Sequence, residues 1–175
     1  MRIISGTYKG RHIPVRKNFT ARPTTDFAKE NLFNILHNYF TFEELSVLDL
    51  FSGTGSISYE FASRGARVDL IEIDYRSVQF IRSTIELLQL NTITPFRADV
   101  FKVIGKLTGR YDIVFADPPY QLQSIPSIPN LILEKELLNT GGWLILEHSG
   151  SHSFRQHPRF KEIRTYGSVN FTIFI

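Results

Sequence analysis

The sequence predicts an α/β fold: a mostly parallel sheet covered by helices, in one domain of 175 residues. Three observations predict it. From residue 46 onward, apolar segments alternate with stretches of helical periodicity, as in parallel strands joined by helices. The last two apolar segments are separated only by Gly167-Ser168, which indicates a terminal antiparallel hairpin. Acids and glycines follow several predicted strands, at the edge where open α/β sheets bind ligands.

Composition limits the class of protein further. Apolar residues make up 42% of the chain and charged residues 21%, which is typical of a globular domain. The sequence shows neither the roughly 20 apolar residues of a membrane helix nor a signal-peptide core, so we expect a cytoplasmic protein without a membrane partner. The absence of cysteine excludes disulfides and thiolate metal sites. The five histidines lack metal-ligand spacing, so we predict no metal.

The first 40 residues are predicted to form an extension of the single domain 1–175, whose core is residues 41–175. Residues 2–5 and 11–15 alternate enough to predict a short β-hairpin, which needs a packing partner to be stable. A helix is then predicted to begin near Asp26, with Thr24 or Thr25 as its N-cap.

The core is predicted to contain seven strands with helices between the first five. Pro95 lies inside the third strand and weakens that prediction, because proline cannot donate a hydrogen bond to a sheet. The predicted strands cover residues 47–51, 67–73, 94–98, 111–116, 143–147, 160–166 and 169–175, and the predicted helices cover 56–64, 76–90 and 129–138.

The fourth predicted strand is followed by a candidate catalytic tetrapeptide, Asp117-Pro118-Pro119-Tyr120. Two prolines cannot continue a central strand, so an acid, two carbonyl groups and an aromatic ring are presented at the carboxyl edge of the sheet. The acid and the Pro118 carbonyl can accept hydrogen bonds from an exocyclic amine, and the ring can stack on a base. The alternative is an ordinary Asp-Pro-Pro turn.

A glycine-rich loop, residues 49–56, follows the first strand. Gly53 and Gly55 allow tight turning and close approach of a ligand, but the third glycine of the dinucleotide fingerprint is absent. Asp49 would repel a pyrophosphate and suit a cation. The loop therefore predicts a site for the methionine part of S-adenosylmethionine, which carries an ammonium and a sulfonium, and the alternative is a glycine turn between strand and helix.

Acids also follow the second and third strands. Glu72 can bind ribose hydroxyls, and Asp74 could compete for that role. Asp99 could accept a hydrogen bond from the adenine amine. Each acid alone is more often a helix cap or a solvated residue, but the set after successive strands fits an adenosine.

The amino-terminal segment is strongly basic. The net charge of the chain is +3, yet residues 1–22 carry six basic groups and no acid. Such an arm predicts a polyanionic partner, and the alternative is a solvated basic hairpin. The predicted RNA-binding residues are Arg2, Lys9, Arg11, Arg16, Lys17 and Arg22.

Several motifs together resemble one family, the bacterial 16S ribosomal RNA guanine-N2 methyltransferases of the RsmD type. The motifs, in chain order, are Arg2-Ile3-Ile4-Ser5-Gly6, Arg22-Pro23-Thr24-Thr25-Asp26, Asn31-Leu32-Phe33-Asn34-Ile35-Leu36, the loop 49–55 and Asp117-Pro118-Pro119-Tyr120. The resemblance covers almost the whole chain. It implies a Rossmann-like seven-stranded methyltransferase sheet in the order 3-2-1-4-5-7-6, with the last strand antiparallel.

The resemblance also implies methyl transfer from S-adenosylmethionine to the N2 amine of a guanine in 16S ribosomal RNA, free or in the assembled small subunit, by a protein expected to be a monomer. Alternatives are an adenine-N6 DNA methyltransferase and a non-catalytic RNA-binding assembly protein with this fold. The predicted catalytic residues are Asp117, Pro118, Pro119 and Tyr120. The predicted cofactor-binding residues are Asp49, Phe51, Gly53, Thr54, Gly55, Glu72, Asp74, Asp99 and Val100.

Overall fold

The computed structural model describes residues 1–15 and 24–175, which form a seven-stranded sheet flanked by helices. The strands are β1 Ser46–Leu50, β2 Arg67–Glu72, β3 Ile93–Arg97, β4 Tyr111–Ala116, β5 Leu138–His148, β6 Phe160–Tyr166 and β7 Val169–Phe174. The helices are α1 Asp26–His37, α2 Ser56–Ser63, α3 Tyr75–Leu88, α4 Val100–Val103 and α5 Ile128–Glu134, with 3₁₀ turns at Phe42–Glu44, Ile104–Lys106 and Ile125–Ser127.

The sheet has the order β3-β2-β1-β4-β5-β7-β6, which confirms the predicted fold class. Strands β1 to β5 pair in parallel, and β7 runs antiparallel to both β5 and β6. The strand order reverses between β1 and β4: β2 and β3 lie on one side of β1, and β4 and β5 lie on the other. The crevice at the carboxyl ends of these two strands is therefore where a ligand site is expected.

Both faces of the sheet are covered by apolar layers. Helices α1, α2 and α3 pack on one face, where Leu32, Phe61 and Ile81 belong to a common buried cluster. Helices α4 and α5 pack on the other face through residues such as Val100 and Ile132. The central strands are buried on both sides, which explains their continuous apolar runs.

The amino-terminal hairpin is shorter than predicted. Its pairing is reduced to a single antiparallel bridge between Arg2 and His12. The backbone N–H groups of Ile4 and Ser5 instead donate to the buried carboxylate of Glu60 on α2, at 2.9 and 3.0 Å. The Glu60 side chain thus binds the backbone on the other edge of this segment. The predicted short hairpin is present only as the bridge and the hydrogen bonds that flank it, from the Ile3 N–H to the Arg11 carbonyl and from the Ile13 N–H to the Met1 carbonyl.

A buried ionic cluster fixes this extension to the core. Lys29 of α1, only 1% exposed, lies 3.4 Å from Glu60 and donates a 2.6 Å hydrogen bond to the carbonyl of Arg2. Arg64 pairs with the other oxygen of Glu60. Burial lowers the pKa of Lys29, although Glu60 and Asp26 oppose that shift. The charges inside the cluster compensate one another, as buried ions require.

Helix α5 and strand β5 differ from their predicted bounds. The helix ends at Glu134 rather than residue 138, and Glu136 adopts a left-handed backbone with φ 50°. Strand β5 already begins at Leu138, which pairs with Tyr111, and its pairing shifts before Trp143 meets Ile113. The expected turn at residues 141–142 is therefore an irregularity inside a long strand.

The remaining element predictions agree closely with the structure. Strand β3 forms despite Pro95 because it lies at the sheet edge and pairs only with β2. Thr25, not Thr24, is the N-cap of α1, and its side chain accepts a hydrogen bond from the N–H of Ala28. In the described parts of the chain, no helix combines the length and the apolar character needed to span a bilayer.

Candidate active site

The glycine loop connects β1 to α2 through a series of left-handed residues. Phe51, Gly53 and Gly55 have φ values of 61°, 55° and 80°. A Cβ atom on Gly55 would lie 2.8 Å from the ring of Tyr59, so this position excludes a side chain. Gly53 lines the cleft whereas Gly55 does not, and the left-handed backbone of Gly55 turns the chain into α2.

Asp49 lies beneath this loop and is only 1% exposed. The hydroxyl of Ser58 donates to its Oδ2 at 2.5 Å. Burial raises the pKa of Asp49 to about 7, an effect that the Ser58 hydrogen bond opposes and the charge of Glu72 reinforces. The structure contains no ion pair to Asp49 from the residues it describes, so its charge is available to a bound cation.

The side chains of Glu72 and Asp74 are held by different parts of the backbone. The Glu72 carboxylate is held by the backbone N–H groups of Gly53 at 2.7 Å and Asp74 at 2.8 Å. The Asp74 side chain instead caps α3 by accepting from the N–H of Ser77, and this bond lowers its pKa. Glu72 is thus the acid fixed at the loop, while Asp74 is engaged by the helix.

The third acid, Asp99, caps the short helix α4. Its Oδ1 accepts a hydrogen bond from the N–H of Phe101 at 3.0 Å, and Val100 beside it is buried. Apolar side chains that the sequence analysis missed, Ile73 and Phe101, are 60% and 38% exposed and also line the cleft. Ile73 directly follows Glu72, and Phe101 lies two residues after Asp99. An apolar side chain close after an acid, at the ends of two successive strands, could have indicated the walls of a site for a flat ring.

The Asp117–Tyr120 segment leaves the sheet directly after β4, beside the end of β1. The N–H of Asp117 donates to the carbonyl of Leu50 at 3.3 Å, which ties the two strand ends together. Pro118 is buried, Pro119 is exposed, and Asp117 and Tyr120 are partly exposed in the cleft. Burial, followed by the charges of Glu147 and Asp49, holds the pKa of Asp117 well above its ordinary value.

Glu147 is the main site residue that the sequence analysis missed. It lies at the end of β5, is 3% exposed, and lines the same cleft as Asp117. The hydroxyls of Thr24 and Tyr120 donate to its two carboxylate oxygens at 2.8 and 3.2 Å. Burial raises the pKa of Glu147, and these two hydrogen bonds oppose the shift. In the sequence, its position directly after the apolar run 143–146 could have indicated a site residue.

A single cleft of about 1610 Å³ brings these groups together. This volume exceeds the roughly 300–1,000 Å³ typical of small-molecule sites, and so has room for a nucleoside cofactor and a substrate nucleotide. Acids line its length and suit the ammonium, ribose hydroxyls and adenine amine of S-adenosylmethionine. Of the predicted cofactor and catalytic residues, all except Gly55 line it: Asp49, Phe51, Gly53, Thr54, Glu72, Asp74, Asp99, Val100, Asp117, Pro118, Pro119 and Tyr120.

The predicted RNA-binding arm is only partly described. Arg2, Lys9 and Arg11 are exposed, and Arg2 lies 3.6 Å from Asp26. The other three basic residues, Arg16, Lys17 and Arg22, lie outside the described residues. Pro14, just before them, lines the cleft, as does Thr24 just after them. Described residues on both sides of the segment 16–23 therefore line the candidate active site.

The sheet order and the acid-lined cleft at its carboxyl edge define a Rossmann-like methyltransferase fold that uses S-adenosylmethionine. Comparisons with known proteins then identify the family. The family described as Conserved hypothetical protein 95 matches residues 1–175. The chain belongs to this family, the RsmD type of S-adenosylmethionine-dependent methyltransferases.

Individual relatives agree with this assignment. YlbH of Bacillus subtilis strain 168 is 33% identical over 153 residues, which cover 85% of this chain and 82% of YlbH. The Ribosomal RNA small subunit methyltransferase D of Escherichia coli K12 is 31% identical over 145 residues, covering 82% and 69%. The solved structure of Escherichia coli yhhF has a TM-score of 0.85 at 26% identity, covering 99% of this chain and 96% of that one.

Proposed function

We propose that this protein methylates the N2 amine of a guanine in 16S ribosomal RNA, with S-adenosylmethionine as methyl donor. The observation that carries the proposal is the common cleft, which joins the acid-and-glycine loop at the end of β1 to Asp117-Pro118-Pro119-Tyr120 at the end of β4. Family membership and the name of the Escherichia coli relative support ribosomal RNA of the small subunit as the substrate class.

Residues after β1, β2 and β3 would hold the cofactor. Asp49 suits the ammonium group, Glu72 the ribose hydroxyls, and Asp99 with Val100 the adenine ring. S-adenosylmethionine supplies an electrophilic methyl group on a sulfonium. The chain itself contributes binding, orientation and exclusion of water, which are the main requirements when the leaving group is already good.

Asp117 and Pro118 would act on the acceptor amine. The lone pair of the guanine N2 amine is delocalised into the ring, which makes it a poor nucleophile. Hydrogen bonds from the amine to the Asp117 carboxylate and the Pro118 carbonyl favour a pyramidal nitrogen with an available lone pair. The proton that this nitrogen loses on methylation passes to Asp117, whose raised pKa makes it a better proton acceptor than an ordinary aspartate.

The distribution of acceptors supports guanine over adenine. The Watson–Crick edge of guanine presents two neighbouring donors, N1–H and the N2 amine, whereas that of adenine presents an amine beside an acceptor nitrogen. At this end of the cleft the Asp117 carboxylate, with two acceptor oxygens, and the Pro118 carbonyl can serve both of these neighbouring donors. Tyr120 would stack on the base, which must be splayed or flipped out of any helix to reach the cleft.

Product analysis tests the proposal. The purified protein is incubated with S-adenosylmethionine and small subunits from a strain that lacks the modification, and the RNA is digested for nucleoside mass spectrometry. We expect N2-methylguanosine from the wild type and far less from Asp117→Ala. Asp69→Ala, the same change on β2, where Asp69 bonds Tyr111, should keep activity. N6-methyladenosine, formed from RNA or from added duplex DNA, would contradict the assignment.

A further inference from the structure

Glu147 holds two hydroxyl groups that belong to distant parts of the chain. Thr24 directly precedes the N-cap of α1, and Tyr120 ends the segment after β4. Their hydroxyls donate to different oxygens of the same carboxylate, at 2.8 and 3.2 Å. All three residues line the cleft. The carboxylate is therefore the common partner of the entry to α1 and of the ring assigned to the acceptor base.

The described environment of Glu147 differs from that of another buried acid, Glu60. A buried acid is normally stabilised by a cation or by backbone N–H groups, as Glu60 is by Lys29 and Ile4. Across the described residues, no ion pair involves Glu147. Its hydrogen-bond donors are two side-chain hydroxyls in the cleft, so the cost of its burial is offset by groups that face the substrate site.

We propose that Glu147 is a positioning residue for methyl transfer: it fixes the plane of the Tyr120 ring against the acceptor base and joins that ring to the chain that enters α1. This inference rests on the proposed function of the cleft. Because Thr24 follows the basic segment 16–23 directly, the same carboxylate links the end of the RNA-binding arm to the base-binding ring.

Glu147 also influences the proton acceptor. The charged groups that act on Asp117 are Glu147 on β5 and Asp49 on β1, and both raise its pKa. Removing the charge of Glu147 should therefore lower the pKa of Asp117. The acid limb of the pH–rate profile, where Asp117 becomes ionised, should then move to lower pH.

Glu147→Gln is the most informative variant, because glutamine keeps the shape and one acceptor oxygen, removes the charge and replaces the other oxygen with an NH2 donor, to which the second hydroxyl cannot donate. We expect its single-turnover rate to fall about 10- to 100-fold, with S-adenosylmethionine affinity within two-fold of the wild type. The acid limb of its profile should move to lower pH. Glu136→Gln, the same change at an exposed residue paired with Arg110, should leave all three quantities unchanged.

Tyr120→Phe tests the contact separately, since it keeps the stacking ring and removes only the hydroxyl. Its effect should be smaller than that of Glu147→Gln, and the two effects should combine less than additively because they remove the same hydrogen bond. A wild-type rate and pH profile in Glu147→Gln would overturn the inference. A parallel loss of cofactor affinity and thermal stability would also overturn it, by making Glu147 merely structural. If the wild type itself transfers no methyl group, the proposed function fails instead.

Discussion

Asp49 should make cofactor affinity depend on pH. Burial raises the pKa of this carboxyl to about 7, and in the proposed site it pairs with the ammonium group of S-adenosylmethionine. Below pH 7 the carboxyl holds a proton, so the cation gains a partner only after that proton has left. Binding should therefore strengthen as the pH rises and release a proton near neutral pH.

The size of this effect follows from the pKa of about 7. Between pH 6 and pH 8 the ionised fraction of such an acid rises from roughly one tenth to nine tenths, so affinity should increase about ten-fold and then level off. Asp49→Asn keeps an oxygen that can accept from Ser58 but never carries the charge. Its affinity should be lower at pH 8 and nearly independent of pH.

Calorimetry at pH 6, 7 and 8, in buffers with different ionisation heats, measures both the affinity and the number of protons released. Equal wild-type affinities at pH 6 and pH 8 would refute the pairing with Asp49. The same pH dependence in Asp49→Asn would assign the titration to another group.

Stability without ligand provides an independent check on Asp49. A folded-state pKa raised from 3.8 to about 7 gives a contribution to stability that is present below pH 4 and is lost as the pH rises to 7. The upper bound of that loss is about 4 kcal/mol. The melting temperature of Asp49→Asn relative to the wild type should therefore increase from pH 4 to pH 8. A constant difference would contradict the raised pKa.

The remaining predictions concern catalysis, the glycine loop and the arm. Asp117→Ala should slow single-turnover methyl transfer by about 10- to 150-fold with nearly unchanged cofactor affinity, and an unchanged rate would show that the assignment is wrong. Gly55→Ala should lower the free energy of unfolding by about 1–3 kcal/mol in denaturant titrations, and by more than Gly141→Ala, which shares φ +80° but has no atom within 4 Å of the added Cβ. Equal losses would exclude the steric contribution. Replacing Lys9, Arg11 and Arg16 with alanine should weaken RNA binding and reduce the salt slope by roughly 0.7–0.9 per lost phosphate contact, and wild-type salt dependence would make the arm a solvated hairpin.

Most of the fold could be predicted because the core strands can be recognised from short local patterns of apolar residues and turn residues. Strand β4 is a continuous apolar run ended by two prolines, and the last hairpin is marked by its two-residue turn. The end of α5 could not be predicted this way. Apolar residues continue to Leu138, and only pairing with Tyr111 makes that residue the start of a strand. Tertiary contacts decide between helix and strand in such a segment.

The site residues could be predicted where an acidic side chain lies at the end of a strand or directly after it. Asp49, Glu72, Asp99 and Asp117 stand out because each is an acid in or just after an apolar segment. Glu147 has a similar position at the end of β5, but its importance comes from Thr24, 123 positions away, whose hydroxyl donates to it. A contact of that separation leaves no local pattern. The distinct roles of Glu72 and Asp74 likewise depend on backbone N–H groups that only the folded chain brings into place.

Nucleoside mass spectrometry of 16S ribosomal RNA from living cells shows whether this protein methylates a guanine N2 amine. The RNA is compared between a strain that lacks this protein and the same strain carrying either the wild type or Asp117→Ala. We expect one N2-methylguanosine to be missing from the deletion strain and to be restored by the wild type but not by the variant. An unchanged N2-methylguanosine content in the deletion strain would refute the proposed reaction, and restoration by Asp117→Ala would refute the role of Asp117.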